Sequence, residues 1–141
     1  MKYLHFAFGI AAYFAFFVVF LYLIGFVGDL YVPVSVDRGP AVAPGVAVAF
    51  DILAVAVFGV QHSVMARAGF KAALTRMVPP VLERSVYVLM SSVALVAMFL
   101  LWRPIGTVLW DVQAAWARDV LWGLFLLGWR LLAGTLRRSP A

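Results

Sequence analysis

Few residues in this sequence could do chemistry, and they are unevenly placed. Asp51 and the triplet Gln61-His62-Ser63 fall in one apolar stretch. A polar group among apolar helical residues is costly enough to mark a functional site by default. Asp51 and His62 are 11 residues apart, or three turns of helix, which puts them on one face about 16 Å apart along the axis. They cannot act on the same atom. Two readings of the triplet stay open: it lines a pocket, or His62 bonds a backbone carbonyl or headgroup and merely ends the helix. Arg67, Lys71, Arg76 and Arg84 form a basic collar, able to steer an anionic or nucleotide-like cofactor or, more plainly, to bind lipid headgroups. Glu83 and Arg84 could join that collar in an ion-pair network, whereas Arg118 and Asp119 read as solvated. His5 and His62 raise haem ligation, but His5 sits at a fraying terminus. With 0 Cys there is no disulfide, thiolate ligand or cysteine nucleophile. No metal-spaced cluster, Walker loop, GxGxxG, HExxH or GxSxG occurs, so no metal site is expected.

The elements that must hold these residues follow from composition. Of 141 residues, 66% are hydrophobic and 12% charged, against about 45–50% and about 25% in soluble domains. A water-soluble enzyme, a nucleic-acid arm and a disordered tail are excluded, and the net charge of +5 reads as membrane orientation instead of nucleic-acid binding. The expected class is all-α, a polytopic transmembrane helical bundle in a lipid bilayer. Roughly 20 apolar residues cross a bilayer, and four stretches come close: 6–27, 44–65, 85–102 and, with Arg130 inside it, 118–136. The first is too long and aromatic for a signal peptide. The Val/Ala alternation of the second could suit a strand, but a lone strand in lipid leaves its backbone unsatisfied, so helix wins. The four spans are read as one transmembrane domain over 1–141.

The connections carry the necessary breakers. Pro33, Pro40 and Pro44 punctuate the first loop. In the next, Phe70, Leu74, Met77 and Val78 fall on one helical face, which predicts a short interfacial amphipathic helix. Pro79-Pro80 ends it, and Glu83 then lies at the positive end of the third span's dipole. That span stops at Trp102 and Pro104. Most Lys and Arg, at Lys2, Arg67, Lys71, Arg76, Arg84, Arg137 and Arg138, fall on the side holding both termini, which places the termini in the cytoplasm. Packing in such a bundle should bury both Asp51 and His62.

Four segments in order, LYLIGFVGDLYVP (21–33), QHSVMARAGFK (61–71), VPPVLERSVYVLMSS (78–92) and WRPIGTVLWDVQ (102–113), resemble the bacterial methanethiol S-methyltransferase family. That family groups with membrane proteins associated with nitric oxide reduction. Its distal part is similar to the isoprenylcysteine carboxyl methyltransferases. The resemblance runs from about Tyr3 to about Trp129. It implies a bacterial inner-membrane enzyme that methylates methanethiol to dimethyl sulfide with S-adenosylmethionine, by displacement at a sulfonium methyl. Docking and desolvation carry most of such a reaction. The resemblance marks Gln61, His62, Ser63, Arg67, Phe70, Lys71, Glu83, Arg84 and Ser85 as signature positions, of which Gln61, His62, Ser63, Arg67, Lys71, Glu83 and Arg84 are the pocket candidates. Family members are nearly twice as long, and their cofactor-contacting stretches lie downstream. The expectation is therefore a shortened front half, incomplete or inactive alone, or completed by a second polypeptide or another copy. The competing reading is a non-catalytic helical scaffold or accessory subunit.

Overall fold

A computed structural model describes residues 1–138, and every regular element in them is helical. Helices α1 (Lys2–Gly28), α2 (Pro44–Met65), α3 (Ala68–Leu74) and α4 (Glu83–Leu101) belong to one compact unit, which runs from Met1 to Gly106. A single 3-10 turn, Pro80–Leu82, leads into α4. Helix α5 (Ala115–Arg138) belongs to a second unit. Among the described residues three helices are long and apolar enough to cross a membrane: α1, α2, and α4 with its leading turn. The protein is an integral membrane protein with its apolar side chains turned outward. Phe6, Phe14, Phe17, Ile52 and Leu100 are all exposed, as surfaces facing lipid must be.

Helix α4 packs against both α1 and α2. Contacts fix the directions. A Cβ on Gly9 of α1 would lie 3.5 Å from Ser85 Oγ at the start of α4, while Phe26 near the end of α1 meets Phe99 near the end of α4. These two helices are parallel. Helix α2 runs the other way, His62 near its end meeting Tyr87 and Asp51 meeting Arg103. The face of α4 that serves both neighbours is built from small residues, Ser85, Ser91, Ser92 and Ala94, all buried. In lipid the drive to associate is close packing, which small side chains permit.

A buried apolar cluster sits toward the end where α1 and α4 finish. Phe26, Ala54, Leu95, Met98 and Phe99 form it, with ring centroids 4.9 Å apart for Phe26–Phe99 and 4.8 Å for Tyr22–Phe99. Truncating Phe99 to Ala in a bilayer forfeits packing and not transfer from water, because lipid tails are as apolar as the core. Two aromatic pairs at about 0.5–1.5 kcal/mol each give an expected loss of about 1–3 kcal/mol. Thermal unfolding in mild detergent measures it, with Phe99→Leu expected to lose less.

The loop from Asp29 to Ala43 is folded tightly over this core. It turns at once, with Asp29 (φ 54°) and Tyr31 (φ 55°) both left-handed. Tyr22 Oη donates to the Val34 carbonyl at 2.8 Å and accepts from the Val34 N–H at 3.3 Å. Trp102 Nε1 donates to the Val36 carbonyl at 3.1 Å. Ser35 is fully buried; its hydroxyl donates to Asp29 and accepts from the backbone N–H groups of Asp37 and Arg38. Arg38 Nε completes the knot on Asp29 Oδ1 at 3.0 Å.

One expectation about the connections changes. The short helix between α2 and α4 is shorter than its apolar face suggested: α3 ends at Leu74, and Met77 is 87% exposed in the turn that follows. Pro79 keeps Val78, the residue before it, off helical backbone, and Thr75 to Met77 form turns. Pro80 opens the 3-10 turn and α4 proper begins at Glu83, which places that carboxylate in its first turn. In the second unit, Trp122, Phe125 and Trp129 stack edge to face along α5, with centroids 5.4 and 6.1 Å apart.

Candidate functional site

At the end of the first unit opposite the loop, α2 and α4 bring together a polar cluster. His62 lies three residues before the end of α2, on the side facing α4. Its ring stacks on Phe58, one turn earlier, at 5.3 Å and 26°. Across the gap the Tyr87 hydroxyl of α4 is 3.2 Å from Nδ1 and 3.1 Å from Nε2. Ser91 Oγ, one turn along α4, is 3.5 Å from Nδ1. Gln61 Nε2 reaches Met65 Sδ at 3.0 Å and Ser91 Oγ at 3.5 Å. Its Oε1 is buried with no partner, a position that costs about 1–3 kcal/mol unless something donates to it.

His62 itself is exposed, which corrects the expectation that packing would bury it. The imidazole sits in a slot with Phe58 on one side and Tyr87 on the other, and α2 ends too soon after it for a further turn to cover the ring. Asp51 behaves as expected. It is 9% exposed, and its Oδ1 accepts the Arg103 backbone N–H at 2.7 Å. The Arg103 guanidinium turns elsewhere, to the carbonyls of Leu100 and Trp102 and over the Phe50 ring. Asp51 thus ties the end of α4 to α2.

The other sequence candidates divide. Gln61 and His62 enter the cluster; Ser63 is exposed beside it. Arg67 precedes α3 and Lys71 lies on it, both exposed. Glu83 and Arg84 open α4, one turn before Tyr87. The expected ion-pair network does not form: among the described residues the ion pair joins Arg38 to Asp29, at the opposite end. Glu83 instead has the positive end of its own helix dipole beneath it. His5 belongs to a different place, a groove of about 580 Å³ between α1 and the start of α4, lined also by Phe6, Gly9, Tyr13, Val81 and Ser85. The structure gives the two histidines separate neighbours.

Sequence reasoning missed Tyr87, Ser91, Met65 and Phe58. The available signal was spacing: Tyr87 and Ser91 are four apart, as are Phe58 and His62, so each pair shares a helical face. What a single sequence does not contain is which faces meet.

A methanethiol S-methyltransferase of Mycobacterium tuberculosis is 51% identical over 91% of this chain. Methanethiol S-methyltransferase 1 of Bradyrhizobium diazoefficiens is 44% identical over 93% of it. The chain is a relative of the methanethiol S-methyltransferases. It spans about half the length of these curated relatives, 52% and 46% respectively. Nurim of Sus scrofa also matches, 34% identical over 64% of this chain and covered to 37% of its own length. No family model and no solved structure matches. The kinship with the methanethiol S-methyltransferases extends over nearly all of the chain, so it takes in both helix ends that build the His62 cluster.

Proposed function

We propose that this chain forms part of a membrane thiol S-methyltransferase that converts methanethiol to dimethyl sulfide, with S-adenosylmethionine as methyl donor. The observation that carries the reading is the 51% identity to a protein of that name across 91% of the chain. The methyl donor supplies a sulfonium-bound methyl group, electrophilic enough for direct displacement by a thiolate. Arg67, Lys71 and Arg84 fit the donor's carboxylate end, being cations at one end of the unit with no carboxylate paired to them among the described residues. The pocket proposed here joins these three with Gln61, His62, Ser63 and Glu83. Gln61 Oε1 offers a buried acceptor to a bound N–H or O–H.

The same reading places the protein in a bacterial inner membrane with both termini in the cytoplasm, because basic residues concentrate on that side. Helix α3 then lies at the interface, and α5 supplies a fourth span whose Arg130 snorkels.

Headspace gas chromatography on cells fed methanethiol tests the function. The chain is expressed alone and together with the complementary half of the Mycobacterium tuberculosis relative. Dimethyl sulfide above an empty-vector control in either arm is the expected result. Its absence in both, with the proteins in the membrane fraction, would reject the reading and leave a helical scaffold.

A further inference from the structure

The geometry points to His62 as the group that takes the proton from the thiol, with Tyr87 and Ser91 as positioning residues. The inference rests on the reading of a thiol methyltransferase and deepens it. A free thiol is mostly protonated at neutral pH, since cysteine itself ionises near ~8.5, and apolar surroundings hold it in that form. The thiolate is the nucleophile, so a membrane site needs a proton acceptor at the reacting sulfur. Imidazole is the side chain suited to that exchange near neutrality.

Three observations select His62. His62 is exposed and lies three residues from the end of α2, so a small thiol can reach it and, at a helix end, the proton can return to water. The Tyr87 hydroxyl lies within 3.2 Å of both ring nitrogens. Nearly equidistant from the two nitrogens, this hydroxyl lies over the ring face and in line with neither in-plane lone pair, so it holds the ring in place and leaves the basic nitrogen open to the thiol proton. The Phe58 ring stacked beneath, together with Ser91 near Nδ1, fixes the ring plane.

The step balances. The S–H proton passes to a ring nitrogen, and the thiolate lone pair forms the new S–C bond to the sulfonium methyl. The old C–S bond breaks with its electrons staying on the donor sulfur, which leaves as a neutral thioether. Tyr87 is the titratable group in contact with His62. Glu83 and Arg84 lie a turn earlier on α4, and Arg67 and Lys71 follow α2. These cations favour a thiolate beside them.

Two measurements test this, one without turnover. In the detergent-solubilised chain carrying isotope-labelled histidine, the His62 signals are identified by their loss in His62→Gln. Titration with methanethiol is expected to move them saturably and leave His5 still. Unmoved His62 signals, or equal movement of both histidines, would overturn the proposal. In the turnover assay, His62→Gln is expected to lose about 100-fold or more, the usual reach of general-base catalysis. Its rate should then climb about tenfold per pH unit with the free thiolate, where the parent chain levels off. Tyr87→Phe should lose less and keep the parent profile. A uniform loss in His62→Gln with an unchanged profile would make His62 structural only. If no variant or parent makes dimethyl sulfide, the functional reading fails, and the titration alone decides whether His62 receives a thiol.

Discussion

Replacing Gly25 with Val is expected to cost the fold about 3 kcal/mol and to loosen the loop that follows α1. A Cβ at Gly25 would lie 2.8 Å from the Leu30 carbonyl oxygen and 2.8 Å from Val32 Cγ1. The first of these is backbone and cannot swing away. It is held there because the Leu30 N–H donates to the Gly25 carbonyl at 2.8 Å, and the chain is fastened again where the Val36 N–H meets the Phe26 carbonyl at 3.1 Å. Forcing extra carbons into such a site typically costs about 1–3 kcal/mol and sometimes more, and a β-branched side chain is the worst case. Gly25→Ala should lose about half as much. Gly59→Ala is the control, since a Cβ there meets nothing within 4 Å and alanine is the better helix former by about 1 kcal/mol. Thermal unfolding in mild detergent ranks the three, and limited proteolysis of the loop should speed up in the Gly25 variants alone. Equal melting of Gly25→Val and the parent chain would mean that the loop does not close over α1.

The second large effect is expected at Asp51, and it depends on the replacement. In Asp51→Ala the Arg103 N–H loses its acceptor in a part-buried position. A hydrogen bond to a charged group contributes about 1.5–3 kcal/mol, and an orphaned donor adds to the loss. A fall of about 2–4 kcal/mol follows. Asp51→Asn keeps a carbonyl oxygen for the same N–H and relieves the cost of holding a charge out of water, so it should stay within about 1 kcal/mol of the parent. The amide proton of Arg103 gives a local readout. Its hydrogen exchange should accelerate strongly in the alanine variant and little in the asparagine one. Matching losses in both variants would show that the carboxylate charge, not the acceptor, holds the end of α4.

Much of the architecture is legible from hydropathy and proline. Pro44 starts α2 and Met65 closes the same apolar run, and Glu83 reads correctly as the first acidic residue of α4. Asp51 is also legible, because a lone carboxylate in an apolar helix must find a donor. What it found, a backbone N–H of Arg103 in place of a charged side chain, is not, since every backbone looks alike in a sequence. The His62 cluster is half legible. Gln61 and His62 stand out as polar residues in an apolar run, but Tyr87 resembles the many interfacial aromatics and Ser91 resembles ordinary small-residue packing. Their partnership depends on α2 running antiparallel to α4, a long-range fact. The exposure of His62 escapes for the same reason: burial is decided by how many neighbours arrive, and helical periodicity reports only which side they would come from.

The tied loop bears on how the first unit meets bilayers of different thickness. Tyr22 and Trp102 fasten the loop to α1 and α4 through Val34 and Val36, and Asp51 fastens α4 to α2 near the same level. Three helices stitched at one end cannot slide past one another lengthwise without breaking those bonds. A change in hydrocarbon thickness, which costs a fraction of a kcal/mol per Å of mismatch, is then met by leaning the three helices as one body. Their other ends, where His62 and Tyr87 face each other, would swing together and keep their spacing.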